Sequence, residues 1–302
     1  MFMIIMESIL RKLIQYTGGY DMSNGKLYLV PTPIGNLKDI TLRALEILKE
    51  ADFIAAEDTR QTLKLLNHFE IKKPMISYHK FNEQIKSDKI IDLLIEGKNI
   101  ALVSDAGTPG ISDPGSVIVG RCIEKMIDFE VLPGATAITT ALVYSGLDTT
   151  KFLFRGFLPR ENKDRKVISE ELLQSQETII FYEAPHRLLD TLIFLDEAFG
   201  NRKIAVCREL TKVYQEIFRG TIKEAVQYFM ENKPRGEFVL VMEGKKLEEI
   251  KEEQREAWAN LSIEDHIRKH IDEGMDKKSA IKLVAKEREL PKSEVYKFST
   301  DI

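Results

Sequence analysis

Residues 101–115, ALVSDAGTPGISDPG, join a short apolar run to a loop of small and rigid residues. The run Ile100 to Val103 predicts a strand that is buried on both faces. Three glycines and two prolines follow, and Asp113 before Pro114 predicts a helix start with Asp113 as its cap. A strand, a rigid loop and a helix start hold ligands in open α/β sheets, although a tight turn that binds nothing has the same composition.

On both sides of this stretch, short apolar runs alternate with segments of helical period. This alternation predicts α/β folding with a mostly parallel sheet and helices on both of its faces. The pattern pauses between Ser145 and Lys151 and then resumes. We therefore expect two α/β domains, residues 26–148 and 149–246, whose sheets flank a cleft.

The two ends of the chain differ from this pattern. Residues 1–25 are expected to be an extension without a part in function, and Glu7 and Arg11 interrupt its apolar stretch too early for a signal peptide. Residues 257–302 predict a small, helix-turn-helix-like domain with a basic stripe that suits RNA, or else an ordinary solvated helical cap. His266 and His270 have a spacing that suits a metal, but a third ligand is not evident and we expect no metal.

Composition excludes several classes of protein. The 302 residues carry a formal net charge of −4, so any nucleic-acid surface must be local. The two cysteines, Cys122 and Cys207, lie in apolar segments, which indicates reduced thiols and a cytoplasmic protein. No apolar run reaches transmembrane length, so we expect no membrane partner.

The motifs of common nucleotide and hydrolase sites are missing from the sequence. There is no Walker loop, no G-x-G-x-x-G after a strand and no G-x-S-x-G elbow. The predicted strand ends carry small residues, a few acids and arginines instead. Such a crevice suits a compact, positively charged cofactor better than a phosphate.

Six motifs carry a family resemblance. They are PTPIGNL (31–37), EDTR (57–60), SDAGTPGISDPG (104–115), LPGAT (132–136), GFLPR (156–160) and FYEAPHR (181–187). In this order they closely resemble the ribosomal RNA small-subunit methyltransferase I family over residues 26–302. The resemblance implies the tetrapyrrole methylase fold, a homodimer, and S-adenosylmethionine-dependent methylation of a cytidine ribose of 16S ribosomal RNA at its 2′-oxygen.

The resemblance also implies which residues hold the cofactor. They lie on the predicted strand-end loops of both domains: Pro33, Gly35, Ser104, Asp105, Gly107, Thr108, Gly134, Thr136, Ala137, Glu183 and Leu210. Small residues let backbone groups bond the cofactor, and Asp105 would attract its cationic ammonium or sulfonium. Alternatively, Asp105 bonds its own turn.

Methyl transfer needs alignment of the ribose hydroxyl and an acceptor for its proton. Glu57 and Asp58 are our candidate acceptors, with Arg60 orienting the substrate, and a salt-bridged surface cluster is the alternative. Basic side chains at the rim and in the tail are expected to hold RNA phosphates, unless they form surface ion pairs: Arg155, Arg160, Arg187, Lys277 and Lys278.

Two other functions compete with this interpretation. A tetrapyrrole C-methyltransferase has the same fold, but a small macrocycle needs neither the basic tail nor the segment rich in arginine and lysine at residues 155–166. A nucleic-acid-binding regulator would use only the tail helices, and it leaves the crevice motifs unexplained.

Overall fold

The computed structural model describes residues 24–299, so residues 1–23 of the predicted extension lie outside the described part. The first sheet has five parallel strands in the order β3-β2-β4-β1-β5. Their bounds are β1 Leu27–Leu29, β2 Phe53–Ala56, β3 Met75–Ser77, β4 Ile100–Val103 and β5 Phe129–Val131. The chain steps outward from β1 to β3 and then returns, which leaves the carboxyl ends of β1 and β4 side by side.

Helices cover both faces of this sheet. They are α1 Leu42–Glu50, α2 Thr59–His68, α3 Glu83–Ile95, α4 Ser116–Lys125 and α5 Ala137–Ser145, with a short 3₁₀ turn at Leu37–Asp39. Alternate residues of the strands enter opposite cores, since Leu102 packs with Ile90 and Ile118 while Val103 packs with Leu48. All four residues of β4 are buried, as predicted.

The second sheet is mixed, in the order β6-β7-β10-β8-β9. Its strands are β6 Phe152–Phe157, β7 Thr178–Glu183, β8 Lys203–Arg208, β9 Glu216–Thr221 and β10 Phe238–Met242. Strand β10 runs antiparallel between β7 and β8, with Phe238 opposite both Glu183 and Arg208. The amino end of β10 therefore lies at the same edge as the carboxyl ends of β7 and β8.

Three helices pack on the second sheet: α6 Asn162–Leu172, α7 Leu188–Phe199 and α8 Ile222–Glu231. Helix α5 also packs on it, because Ala141 and Leu142 share a core with Ala205 and Val241. The expected α/β architecture with two sheets flanking a cleft is confirmed. The domain limits at residues 148 and 246 stay a prediction.

The C-terminal part is helical, as expected, with α9 Leu247–Ala259, α10 Ile263–Asp272, α11 Lys277–Glu287 and α12 Lys292–Lys297. It has a small core of its own around Ile267, Ile281 and Val295. Among the described residues, no helix has the length and apolar character needed to cross a bilayer.

The expected cap of α4 is wrong. Its N-cap is Gly115 at φ 151°, and no side chain caps the helix. The helix begins at Ser116, three residues after Asp113, so the Asp113 side chain is too early to reach its first amides. Instead, Asp113 lines a cavity at the edge of the sheet.

Candidate active site

A cavity of about 410 Å³ opens between the facing edges of the two sheets. The first sheet contributes the loop after β4 and the start of α5, and the second contributes the ends of β7, β8 and β10. This volume lies within the range of pockets that hold one small molecule. Apolar walls with a few polar groups are typical of such sites.

The loop after β4 is fixed by hydrogen bonds to its neighbours. Thr32 and Gly107 exchange backbone hydrogen bonds at 2.9 and 3.0 Å. The buried Ser104 hydroxyl donates to the Gly107 carbonyl at 3.3 Å, and the Thr108 hydroxyl donates to the Ala135 carbonyl at 3.3 Å. These hydrogen bonds join the loop to the segment after β1 and to the segment before α5.

The predicted cofactor residues fall into two groups. Those that line the cavity come from both sheets: Gly107, Thr108, Thr136, Ala137, Glu183 and Leu210. The others surround the cavity without lining it: Pro33, Gly35, Ser104, Asp105 and Gly134. Gly134 packs so closely on Pro31 that an added Cβ would lie 2.5 Å from the proline Cβ.

Gly35 lies where the first sheet's loop meets the loop after β8. An added Cβ would lie 2.7 Å from the Leu210 carbonyl oxygen. The Asn36 amide donates to the Thr211 hydroxyl at 3.0 Å across this contact. Glu209 and Thr211 have φ values of 48° and 63°, a costly conformation for residues with side chains. Strain of this kind concentrates at functional sites.

Asp58 and Arg60 form a local ion pair at the start of α2. Asp58 caps the helix by accepting from the Arg60 amide at 2.8 Å, and its second oxygen accepts from the Arg60 guanidinium at 2.8 Å. These hydrogen bonds lower the pKa of Asp58 to about 2. Asp58 is thus a weak proton acceptor, and the Arg60 side chain remains mostly exposed.

Glu57 has the opposite electrostatics. Burial and the charges of Asp113 and Asp105 raise its pKa to about 7. Burial also raises the pKa of Asp113, against a hydrogen bond with Ser104. Asp105 accepts from the Asp58 amide at 3.1 Å and is exposed outside the cavity wall. Partial desolvation of its carboxyl and the charge of Asp58 raise the pKa of Asp105 as well. The three acids form one repelling group beside the cavity.

Glu183 is a buried carboxylate on the opposite wall. Its two oxygens accept from the Thr191 hydroxyl at 2.5 Å and from the Ala184 amide at 2.8 Å. The Arg187 guanidinium lies 3.7 Å away. These partners fix the orientation of the Glu183 carboxyl at the cavity edge.

The predicted RNA-contacting residues lie in different environments. Arg155 is paired through both of its terminal nitrogens with Glu171, and Arg187 donates to the Leu158 and Pro159 carbonyls. Arg160 is exposed on the loop after β6, and Lys277 and Lys278 are exposed at the start of α11. Their role in binding RNA stays a prediction.

The C-terminal helices place a third potential metal ligand, Glu287, beside His266 and His270. The sequence alone did not reveal it. Glu287 lies 3.1 Å from the Nε2 atoms of both imidazoles. Arg288 Nε donates to His266 Nδ1 at 3.2 Å, so a neutral His266 carries its hydrogen on Nε2 and donates it to Glu287. The arrangement works as a hydrogen-bonded link between α10 and α11, and the absence of a metal stays a prediction.

Several cavity residues were missed by sequence reasoning. Glu237 and Phe238 precede a strand, and only the antiparallel direction of β10 brings them to this edge. Phe157 and Asp113 lie inside recognisable motifs, but their side-chain directions depend on a bulge and on a late helix start. For Phe157 and Asp113, their position inside a motif was the only feature of the sequence that pointed to the site.

Comparison with known proteins agrees with this architecture. A family model described as tetrapyrrole (corrin/porphyrin) methylases matches residues 26–226. A solved uroporphyrin-III-C-methyltransferase from Thermus thermophilus superposes with a TM-score of 0.53 at 22% identity, covering 72% of this chain and 94% of that one. A diphthine synthase superposes with a TM-score of 0.58 at 15% identity, covering 74% and 91%. The fold and cavity thus define a methylase of the tetrapyrrole methylase class.

Closer relatives refine this assignment. The ribosomal RNA small subunit methyltransferase I of Bacillus subtilis is 51% identical over 288 residues, which is 95% of this chain and 98% of the relative. The protein of the same name from Thermotoga maritima is 48% identical, with 99% of its length matched by 73% of this chain. The chain belongs to the ribosomal RNA small subunit methyltransferase I family.

Proposed function

We propose that this protein transfers the methyl group of S-adenosylmethionine to the 2′-oxygen of a cytidine ribose in 16S ribosomal RNA. The observation that carries the proposal is a cavity of one-ligand size between the two sheets, lined by Asp113, whose charge helps to raise the pKa of the Glu57 carboxyl to about 7. The ribose and cytidine assignments rest on the motif resemblance. The substrate is proposed to be the assembled small ribosomal subunit, in the cytoplasm, and the enzyme a homodimer.

The cavity fits S-adenosylmethionine in size and chemistry. Ile34, Leu210 and Val239 offer apolar surface for the adenine, and Thr108 and Thr136 offer polar groups. The carboxylate of Glu183 favours a cationic ligand. When bound, the cofactor supplies an electrophilic methyl group on a sulfonium.

The chain's own residues then align the acceptor and remove its proton. A C–O bond forms as the S–CH₃ bond breaks, and the hydroxyl proton must leave the ribose. Glu57 is the better acceptor, because a base is most effective when its pKa lies near the working pH. Asp58, with a pKa of about 2, instead holds Arg60 and the start of α2. Asp113 lines the cavity wall, and its charge helps to raise the pKa of Glu57.

Transfer of tritium from labelled S-adenosylmethionine tests the proposal. We expect label in 16S RNA of 30S subunits purified from a strain that lacks this gene, and none in subunits from its parent, whose site is already methylated. Nucleoside mass spectrometry should then identify 2′-O-methylcytidine. Label in a porphyrinogen instead would favour the C-methyltransferase, and no label in either acceptor would contradict both enzymes.

A further inference from the structure

Phe157 is a large apolar side chain held at the mouth of the cavity. It lines the cavity, and 54% of the surface of Phe157 is exposed to solvent. Leu158, the next residue, is buried in the core of the second sheet. The Phe157 ring is thus half exposed to solvent, while the next residue is fixed in the core. Such a ring offers an apolar face on which a flat ligand can stack.

A β-bulge aims this ring. Between Phe154 and Phe157 strand β6 has one residue more than the facing part of β7, and Gly156 in the bulge has φ +66°. Residues three apart in a regular strand point to opposite faces. The extra residue places both phenylalanines on one face of the sheet. There the ring centroids of Phe154 and Phe157 lie 4.9 and 5.7 Å from that of Tyr182, in edge-to-face arrangements.

Two arginines fix the segment that follows. Arg187 donates to the Leu158 and Pro159 carbonyls at 2.7 and 3.0 Å, and Arg165 donates to the Pro159 carbonyl at 2.8 Å. Arg165 is itself buried and paired with Asp190. The ring is therefore presented by a braced backbone, and Arg160 is exposed three residues further on.

The proposed reaction constrains what meets this ring. One cofactor molecule largely fills a cavity of about 410 Å³. The acceptor nucleoside must therefore bind at the open end of the cavity. Proteins that recognise RNA by sequence bind unstacked nucleotides whose bases are splayed out, and a nucleotide in that form can bring its ribose hydroxyl to the mouth of such a cavity. Exposed bases are commonly received by an aromatic face, with a basic side chain on the phosphate.

We infer that Phe157 is the stacking platform for the base of the turned-out acceptor nucleotide, with Arg160 beside it for the backbone phosphate. The inference rests on the proposed function and deepens it, since it names the group that recognises the nucleoside. Phe157 contacts the substrate rather than the methyl donor. It acts by placing the ribose, because stacking fixes the base to which the sugar is joined.

Four variants test the inference on the full-length protein: F157A, F157L, F157W and the control F152A. Phe152 lies in the same strand and is 41% exposed, but it does not line the cavity. We expect kcat/KM on 30S subunits to fall about 10- to 100-fold in F157A. F157L should resemble F157A, because it retains the bulk but lacks a π-face, and F157W should stay within about threefold of wild type.

Cofactor affinity and emission separate the possible roles of the ring. S-adenosylmethionine should bind F157A with unchanged affinity in calorimetry. The emission of F157W, after subtraction of the Trp258 emission of the wild-type protein, should be quenched when 30S subunits are added with S-adenosylhomocysteine. Wild-type activity of F157L, weaker cofactor binding by F157A or a changed oligomeric mass would each overturn the inference. Failure of the wild-type enzyme to label 30S subunits would instead contradict the proposed function itself.

Discussion

Replacing Glu57 by glutamine should reduce activity and increase stability at the same time. The glutamine keeps the size of the side chain but cannot accept a proton. If Glu57 receives the ribose proton, the variant should lose about 10²- to 10⁴-fold in kcat/KM, which is the usual contribution of a positioned base. Wild-type kcat/KM should rise with pH up to about 7 and then level off, and E57Q should lose this dependence.

The stability effect follows from the same raised pKa. The folded protein holds the Glu57 proton up to about pH 7, whereas an unfolded chain releases it near 4.5. Ionisation at higher pH therefore destabilises the folded state. Taken at face value, the shift in pKa from 4.5 to about 7 corresponds to a loss of about 3 kcal/mol in the free energy of unfolding. Because Glu57 is only half-buried and solvent screens its charge, we expect a loss of about 1 kcal/mol. E57Q should recover that amount at pH 8 and little of it at pH 5.

Two measurements check this prediction. Urea unfolding at pH 8 and pH 5 gives the stability difference, and methyl transfer to 30S subunits across pH 5.5–9 gives the activity profile. The matched control is E50Q, since Glu50 is an exposed carboxylate at the end of α1. The reasoning is refuted if E57Q keeps activity within about tenfold of wild type with the same pH profile.

Three further predictions concern the cleft and the tail. G35A should weaken S-adenosylmethionine binding about tenfold in calorimetry, because its Cβ would press on the Leu210 carbonyl, while G120A has open space and should bind normally. Deleting residues 261–302 should weaken binding to 30S subunits in a filter assay and leave cofactor affinity unchanged; equal binding to 30S would contradict it. R288M should destabilise the tail by about 2 kcal/mol in hydrogen exchange, since the carbonyls that Arg288 caps lose their donor.

The first sheet could be predicted almost completely from the sequence. Its strands are parallel and covered on both faces, so each appears as a continuous apolar run, and β4 has the predicted bounds. The ends of such strands meet at one edge, which is why Gly107, Thr108, Thr136 and Ala137 line one cavity, while their contact with the cofactor stays a prediction.

The second half of the site depended on interactions that the local sequence does not encode. The direction of β10 is set by pairing with β7 and β8, and this direction alone brings Glu237 and Phe238 to the cavity. The use of Arg187 was also hidden, because its partners are backbone carbonyls 28 and 29 residues away. The sequence of a motif does not distinguish a basic residue that binds a phosphate from one that donates hydrogen bonds to a loop.

Several unfavourable features of this molecule lie around one cavity. Glu57, Asp105 and Asp113 repel one another, and Glu209 and Thr211 adopt left-handed backbone conformations in the facing loop. Each lowers stability, and a sequence selected only for folding would lose them. Burial of a base raises its pKa to a useful value, and a strained loop holds a close contact between two sheets. The same physical terms that weaken the fold therefore prepare the site, which is why E57Q is expected to move stability and activity in opposite directions.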